Sequence, residues 1–562
     1  MSFSSPEEEE CSEIFVGGGW AGVYSMYRRI TGMDDDPSPR GRKVCLFEQS
    51  WRIGGRTYSI HVNHTTTPNL MVDVGAYRFS PDMHLPGDLI MKDLQIPTEC
   101  YESTCPSAQN SWPHPFLFNY SAPLRRIVDP TTGLPGGYVT AIHKMVEISK
   151  QHGARVYTQT SLSKLSIDNH NDNAVSLQFY DSANNQTFTI KSPDLVVLNL
   201  PRNKLFDVQG MEDSFKDDPT VLDTLKCISF DQPTDMFPRP MYTKSNTSYA
   251  LSKAYLYYED AWWHTILNIT EGSYPPAGWG SKLTTEGVRF NIRWHDGPVY
   301  CSSSPSKKCQ GLLESYYSLS DETFYSSLSP NADEPLGSVW NTDGPHAIQI
   351  LAQAHAGMMD LLSPLLEKRG IDPNTLHPPS GLLVGVWRFP TTDKPLGQGS
   401  YTCPTKVYYS PTISGSPANA CGVPGLTEES YRDTVLQPFK NQNLSTNLFL
   451  VNNDFVCLNA RYFYGDWAEE SLLQAERAMY LLGMAKPPWL NSSYYQEKIV
   501  SQVAWDASNS ITTTPGTTKD DSRSDVSVGL ELFLLCFGLL CLYFCSKAIQ
   551  RARWKKEYTA LP

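Results

Sequence analysis

A glycine-rich turn near the start of the chain constrains its fold more than any other feature. The apolar stretch 13–16 leads into G-x-G-x-x-G at residues 17–22, and helical character follows. The first glycine permits a tight turn, the second lets the backbone approach a pyrophosphate, and the third lets helix and strand pack closely. The helix would point its free N–H groups at the phosphates. The predicted ligand contacts of this turn are Gly17, Gly19, Trp20, Ala21 and Gly22.

An acidic residue follows the next apolar strand. Residues 43–47 (KVCLF) end at Glu48, whose carboxylate can accept hydrogen bonds from ribose hydroxyls. A polar insertion, TGMDDDPSPRGRK, separates it from the glycine turn. Strand, turn, helix and acid together predict a Rossmann-type dinucleotide-binding domain in an α/β protein. The alternative is a glycine-rich turn that binds no ligand.

The residues after Glu48 read Q-S-W-R-I-G-G-R and include Arg52, Gly54, Gly55 and Arg56. The combined pattern resembles the flavin-containing amine oxidase family, which includes monoamine, polyamine and L-amino acid oxidases. The resemblance implies that these glycines pass close to the phosphates of FAD and that the arginines bind them by charge-assisted hydrogen bonds. No cysteine matches the covalent flavin attachment of monoamine oxidases, so noncovalent FAD is expected.

Further segments carry the same resemblance. Val156 matches a strand valine whose backbone contacts adenine, and residues 195–202 (LVVLNLPR) match the strand that leads to the substrate domain. Residues 467–479 resemble the last flavin-binding helix, and Asp454 matches the acidic residue before it. This helix departs from the family at Asp466 and at Glu470-Ser471, where the family has glycine and Gly-Ala. Extra negative charge there would disfavour the anionic reduced flavin.

Lys253 is the leading catalytic candidate. It stands in S-K-A-Y-L-Y-Y-E-D-A-W-W (residues 252–263), which is read as one strand and resembles the family strand whose lysine holds a water against flavin N5. The resemblance implies that Lys253 assists reoxidation by oxygen and hydrolysis of the oxidised amine. The alternative is a solvated lysine on a strand edge.

Arg78 is the leading substrate-binding candidate. It matches an arginine that grips the substrate carboxylate in L-amino acid oxidases, and a planar guanidinium suits a two-pronged carboxylate grip. The alternative is a structural arginine paired with an internal acid.

By the same resemblance, Trp467 and Tyr401 would form the walls of an aromatic slot beside the flavin, although core packing explains them equally well. His84 is interpreted as a structural or rim residue.

The C-terminal region predicts a membrane anchor. Residues 528–546 are almost entirely apolar and long enough to cross a hydrocarbon core, and a basic tail, 547–562, follows. A polar stalk, 508–527, separates them from the body. The N-terminus lacks the pattern of a signal peptide. Either the first exon is missing and the body is extracellular or lumenal, which is favoured, or the chain is tail-anchored with a cytosolic body.

Close cysteine pairs support an oxidising compartment. They are Cys100/Cys105, Cys301/Cys309 and Cys403/Cys421. Asn-x-Ser/Thr sites are weaker evidence, being little above chance in this composition; they lie at Asn63, Asn119, Asn185, Asn246, Asn268, Asn443 and Asn491.

The composition excludes some classes of binding partner. The net charge of 46 − 59 = −13 argues against a nucleic-acid binder. The chain has neither H-E-x-x-H nor C-x-x-C, so no metal site is expected. Oligomeric state is left open. The expected partners are an amine or amino acid, oxygen and, through the C-terminal helix, a lipid bilayer.

The predicted fold class is a two-domain α/β flavoprotein with a discontinuous Rossmann-type FAD domain, a mixed-sheet substrate domain and a C-terminal transmembrane helix. The FAD domain takes residues 12–75, 136–205 and 446–485, and the substrate domain takes 76–135 and 206–445. The predicted function is oxidation of an amino acid by hydride transfer to flavin, with oxygen as acceptor and hydrogen peroxide as product. The alternatives are an oxidase of amines or polyamines without a carboxylate, and a flavin-fold membrane protein without oxidase activity.

Overall fold

The structure is a computed structural model, and its described residues all lie within Met1–Trp505. The described residues are 11–32, 43–62, 70–81, 83–100, 124–168, 173–226, 250–274, 282–284, 287–302, 309–318, 323–329, 335–388, 407–409, 433–442, 444–452, 457–459 and 468–501.

Twenty-three strands are described. They are β1 Glu13–Val16, β2 Val44–Phe47, β3 Ser59–Val62, β4 Leu70–Asp73, β5 Thr98–Cys100, β6 Arg125–Ile127, β7 Arg155–Tyr157, β8 Thr160–Asp168, β9 Ala174–Asp181, β10 Gln186–Lys191, β11 Leu195–Leu198, β12 Ala250–Tyr258, β13 Ser273–Tyr274, β14 Lys282–Leu283, β15 Arg289–Phe290, β16 Ile292–Arg293, β17 Val299–Cys301, β18 Cys309–Ser318, β19 Leu336–Trp340, β20 Gly381–Arg388, β21 Val407–Tyr409, β22 Asn447–Leu450 and β23 Cys457–Asn459.

The α-helices among the described residues are α1 Trp20–Thr31, α2 His84–Asp88, α3 Val139–Gln151, α4 Arg202–Asp207, α5 Pro219–Lys226, α6 Trp262–Thr265, α7 Thr323–Ser327, α8 Pro345–Arg369, α9 Ala468–Leu481 and α10 Ser492–Tyr494. Short 3-10 or π-helical turns cover Leu89–Asp93, Asp213–Phe215, Pro373–Thr375, Lys440–Gln442 and Tyr495–Val500.

A five-stranded parallel sheet organises the N-terminal part of the fold. Its strand order is β22-β11-β1-β2-β7, and every pair in it is parallel. The strands β1, β2 and β11 are buried along their whole length, because helices and loops cover both faces of a parallel sheet. This sheet confirms the Rossmann-like α/β part of the predicted fold. Its strands come from all three predicted FAD-domain segments, whose exact boundaries stay a prediction.

A seven-stranded sheet forms the second layer of the fold. Its order is β13-β16-β18-β12-β20-β19, with β17 also paired to β18. A mixed sheet was expected, but every described pair is antiparallel. The strand of Lys253 ends at Tyr258, and Trp262 and Trp263 form the helical turn α6 instead of extending it. Both tryptophans are buried and meet edge to face, so they fill the core beside the sheet.

The membrane part of the predicted fold class is corrected. None of the helices in the described part of the chain combines the length and apolarity that a bilayer span requires. The predicted stalk, span and tail (508–562) lie outside the described residues. The single-pass fold class and the membrane localisation are therefore not supported by the described part of the chain, and the expected bilayer contact stays a prediction.

Two disulfide bonds join described cysteines. Cys301 and Cys309 are bonded as predicted, and Cys11 is bonded to Cys45, a pair that sequence spacing did not indicate. Cys100 is also disulfide-bonded. Cys105, Cys403 and Cys421 lie outside the described residues.

Candidate functional site

The glycine turn at the carboxyl end of β1 is built against backbone atoms. Gly17 has φ +97°, a conformation that suits glycine. A Cβ at Gly22 would lie 2.0 Å from the carbonyl oxygen of Gly17, and a Cβ at Gly17 would lie 2.2 Å from that of Asn199. These contacts explain the first and third glycines of the motif, because no side chain fits at either position.

The second glycine motif lies directly over the first. The Gly54 amide donates to the Gly18 carbonyl at 2.8 Å. A Cβ at Gly55 would lie 3.1 Å from the Cα of Gly19, so two glycine backbones face each other beside the start of α1. Arg52 anchors this crossing, since its guanidinium donates to the Gly55 carbonyl at 2.7 Å and lies over the ring of Tyr58.

Glu48 closes the turn from the side of β2. One carboxylate oxygen accepts from the Gly18 amide at 2.6 Å, and the other accepts from the Ser50 amide at 2.8 Å. Burial raises the pKa of Glu48, and the two amides oppose that effect. Each oxygen keeps a lone pair that can accept a ribose hydroxyl. Val156 of β7 pairs with Leu46 on the adjacent strand, two residues before Glu48.

Two asparagines that the sequence reasoning missed complete the turn. Asn199 follows β11 and donates to the Gly17 carbonyl at 3.3 Å. Asn452 follows β22, donates to the Asn199 side-chain oxygen at 2.9 Å, and accepts from Arg56 at 3.4 Å. The predicted residue Asp454 lies outside the described residues. Each asparagine is the first polar residue after an apolar strand, and this position could have identified the pair from the sequence. The carboxyl ends of neighbouring parallel strands lie at the same edge of a sheet, so residues that follow them can meet.

Backbone hydrogen bonds between residues 56–58 and 74–76 form a short contact, which we call the seam. The seam connects the glycine turn after β1, called the dinucleotide turn below, to the seven-stranded sheet. The Ala76 amide donates to the Arg56 carbonyl at 3.1 Å, and the Gly75 amide donates to the Tyr58 carbonyl at 3.2 Å. A Cβ at Gly75 would lie 2.2 Å from the Arg56 carbonyl oxygen. On the other side, Trp387 of β20 donates its indole N–H to the Val74 carbonyl at 2.8 Å. Residues 74–76 therefore contact the segment that begins at Arg56 on one side and the seven-stranded sheet on the other.

Lys253 reaches this seam from β12. It is 1% exposed, so the alternative of a solvated strand-edge lysine is wrong. Its Nζ donates to the carbonyl oxygens of Asp73 and Gly75, both at 3.0 Å, and lies 3.3 Å from the ring centroid of Tyr77. Burial lowers the pKa of Lys253 to about 8, against the opposing influence of Glu314 and Asp73. The ammonium therefore releases its proton far more readily than an exposed lysine.

Further charges surround the ring of Tyr77, and we call the whole group the Tyr77 cluster. Its members are Tyr77, Arg78, Lys253, Arg293, Asp296 and Glu314. Arg293 donates to the Tyr77 hydroxyl at 3.0 Å and lies 3.5 Å from Asp296 and 3.8 Å from Glu314. Glu314 also accepts from the Tyr255 hydroxyl at 3.0 Å. The cluster thus combines three basic groups with two carboxylates in a buried site.

The pKa values of the two carboxylates in the Tyr77 cluster are shifted in opposite directions. Burial and the charge of Asp296 raise the pKa of Glu314 to about 7. Burial also raises the pKa of Asp296, but His295 and Arg293 outweigh it and bring that pKa below its ordinary value. Carboxylates with divergent pKa values in one site are a signature of functional sites.

Arg78 belongs to this cluster. Its guanidinium carbon lies 4.7 Å from the ring centroid of Tyr77, on a side chain that is 8% exposed. Its charge contributes to the lowered pKa of Asp296. Both sequence interpretations of Arg78, carboxylate grip and partner of an internal acid, agree with this position. His84 begins α2 and lies near Asp88 and the ring of Tyr494.

The beginning of α9 adds a buried acid that sequence reasoning did not single out. Glu469 accepts from the Tyr494 hydroxyl and from the Leu85 amide, and burial raises its pKa to about 8. Trp467, Asp466 and Tyr401 lie outside the described residues, so the aromatic slot stays a prediction.

Comparison with known proteins agrees with the geometry of the turn. The family described as NAD(P)-binding Rossmann-like domain matches residues 16–85. The fold and the site therefore define a protein with a dinucleotide-binding Rossmann-like α/β domain. No curated protein matches the chain at a significant level.

Two solved structures show a distant likeness. An oxidoreductase from Methanosarcina mazei has 10% identity and a TM-score of 0.37, over 84% of this chain and 99% of that chain. A protein from Pyrococcus furiosus has 10% identity and a TM-score of 0.34, over 85% of this chain and 99% of that chain. These values are too low to assign an activity to this chain.

The residues present fit the diphosphate and the ribose of a dinucleotide, which FAD also carries. A Cβ at Gly19 would meet only the Asn199 side-chain nitrogen at 3.2 Å and the Gly55 Cα at 3.9 Å, so the glycine leaves space that a side chain would take. The N–H groups of the first turn of α1 are available to a diphosphate, because the first four amides of a helix lack intrahelical acceptors. Glu48 would supply the acceptor for a ribose hydroxyl, since each of its oxygens accepts only one backbone amide here.

Proposed function

We propose that the chain is an FAD-dependent oxidoreductase that oxidises the amine of an amino acid. The observation that carries the proposal is the short connection between two sites. Gly55 faces Gly19 in the dinucleotide turn, and one residue later the Arg56 carbonyl accepts from the segment that holds Lys253. A buried, readily deprotonated lysine thus lies one loop away from the cofactor-binding turn.

FAD, when bound, would supply the acceptor for the hydride of the substrate. Arg78 would bind the substrate carboxylate, since it is a permanent cation in a site that also holds aromatic groups. Lys253 would hold or accept a proton at Nζ, because its pKa of about 8 lies near the working range of a general base. The surrounding buried residues exclude bulk water. Oxygen is the proposed electron acceptor, with hydrogen peroxide as the product.

The test is an anaerobic titration of the flavin-loaded chain, followed by absorbance. Addition of L-amino acids is expected to bleach the bound flavin, and air is expected to restore it with release of peroxide. Bleaching by amines alone would support the proposed oxidase activity but contradict the proposed binding of a substrate carboxylate by Arg78. A bound flavin that neither class bleaches would reject amine oxidation.

The role of Arg78 has a separate test. Arg78→Lys keeps the charge but loses the planar fork, so the KM for an amino acid should rise about tenfold or more while that for a matched amine without a carboxylate stays unchanged. Equal effects on both substrates would mean that Arg78 acts through the structure of the cluster.

A further inference from the structure

A second group of reactive side chains lies apart from the proposed active site. His264, Cys301 and Cys309 each offer one ligand atom, and these atoms all lie within 4.8 Å of one another. No step of the proposed function uses any of them. Within the described part of the chain, this is the one group of histidine, cysteine and acidic side chains close enough to share a metal ion.

The fold positions all three residues through backbone contacts. Cys301 ends β17 and pairs directly with Cys309, the first residue of β18. The Cys309 carbonyl accepts from the Ala261 amide at 2.6 Å, and this contact fixes the start of α6 beside the strand. His264 is the third residue of α6, so the helical turn carries its imidazole to the cysteine pair.

A side-chain contact fixes the same junction a second time. Gln310, which follows Cys309, donates to the Glu259 carboxylate at 2.6 Å, just before α6 begins. The three candidate ligands are thus held by strand pairing, one backbone hydrogen bond and one side-chain hydrogen bond. Such support is what a metal site needs to keep its ligands in place.

We propose that reduction of the Cys301–Cys309 disulfide creates a zinc site from His264 and the two cysteines. A dithiol reductant would donate two electrons and two protons, break the sulfur–sulfur bond, and itself become a disulfide. Each cysteine thiol then loses its proton as its sulfur binds the metal. The oxidised pair has no thiolate to offer, so the disulfide and the metal site exclude each other.

The ligand set selects zinc by its chemistry. Two thiolates and one imidazole are a Cys₂His set, which occurs in tetrahedral zinc sites with water in the fourth position. With zinc–sulfur bonds of about 2.3 Å, the two sulfurs of such a site lie about 3.8 Å apart. The sulfurs of the bonded pair lie closer together than this, so reduction must first let them separate, whereas a ring nitrogen of His264 already lies within 4.8 Å of both sulfurs. Cys301 is exposed, which leaves a path for both reductant and metal.

The experiment uses the full chain, reduced with dithiothreitol and freed of reductant under argon. Cobalt(II) replaces zinc as the probe, because thiolate ligands give it an intense charge-transfer band in the near ultraviolet. We expect one cobalt per chain, a band that zinc abolishes by displacement, and no band from the oxidised chain. Absence of cobalt binding by the reduced chain would overturn the proposal.

Variants separate this site from the other cysteines. Cys301→Ser/Cys309→Ser should abolish the band, and an unchanged band would assign it to other thiols and overturn the proposal. His264→Asn should weaken cobalt binding by more than the roughly 10- to 100-fold that loss of an outer-shell partner costs. His377→Asn, at an exposed histidine elsewhere, is the matched control and should leave binding unchanged. A His264→Asn variant that binds cobalt like the control would show that His264 is not a ligand and would overturn the proposed Cys₂His site.

Discussion

The dinucleotide turn and the Tyr77 cluster lie one loop apart and are built in opposite ways. The turn is made of backbone groups. A Cβ added at one of its glycines would lie only 2.0 Å from a carbonyl oxygen, and its amides face Glu48. The cluster is made of side chains that come from the seam and from β12, β16 and β18. A backbone site tolerates no added atom where a carbonyl group lies this close, whereas a side-chain site tolerates substitution but changes its proton affinity.

The largest effect is expected from Gly22→Ala. The new methyl group would overlap the Gly17 carbonyl, and neither strand nor helix can yield without losing the turn. We expect a loss of about 3 kcal/mol or more in the free energy of unfolding and no bound FAD. Denaturant unfolding and the flavin content of the purified chain measure both.

Gly19→Ala is the matched control for that clash. Its methyl group would meet only the Asn199 amide at 3.2 Å, so the chain should keep its stability. It should nevertheless lose FAD affinity by about 100-fold, because the methyl group fills the space between the two glycine motifs. If Gly22→Ala were as stable as Gly19→Ala, the turn would not be the rigid backbone structure described above.

The second effect concerns Lys253→Met. Removal of the buried amine takes away the proposed proton acceptor, so turnover of an amino acid that bleaches the flavin should fall by about 100-fold or more. The rise of turnover with pH around 8 should also disappear, because that rise reports the neutral form of Lys253. Lys164→Met, at an exposed lysine on β8, is the control and should keep both rate and pH profile. Retention of the rise in Lys253→Met would assign it to another group.

The contrast between the two regions also explains what the sequence could predict. The turn depends on residues within a short stretch, so its glycines, Glu48 and the adjacent strands follow from a local pattern. The cluster depends on strand pairing between distant segments. Tyr255 lies opposite Glu314 only because the β12–β18 register shifts after Ala254. Lys253 was therefore found by resemblance, while Arg293, Asp296 and Glu314 were not found at all.

Asn452 shows the same limit inside the turn itself. Resemblance placed the acidic match at Asp454, two residues further along the chain. The structure places Asn452 at the end of β22, where its amide connects Arg56 to Asn199. Which residue after a strand faces the neighbouring strand depends on where the strand ends, and a sequence pattern locates that point only to within a few residues.

The third effect, from Asn452→Asp, tests this connection. The aspartate loses the N–H that Asn199 accepts and directs a carboxylate oxygen at another oxygen. We expect a loss of about 1–3 kcal/mol in the free energy of unfolding. FAD affinity should fall by about tenfold, because the new negative charge lies beside the phosphate-binding turn. Asn447→Asp, exposed on the same strand, should change neither quantity. Equal losses in both variants would show that added charge on β22, and not the amide contact, is responsible.

The smallest effect is a shift in pH dependence from Glu314→Gln. At pH 8 the Glu314 carboxylate is mostly ionised, since its pKa is about 7, and its charge raises the pKa of Lys253. Glutamine removes that charge and leaves only Asp73 and Asp296 to oppose the effect of burial, so the pKa of Lys253 should fall below 8. The rise of turnover should then move to lower pH by about one unit, with little loss in the maximal rate. Glu367→Gln, exposed on α8, should leave the profile in place. A shift to higher pH would show that Glu314 does not stabilise the protonated lysine, and the cluster would then lose its electrostatic role.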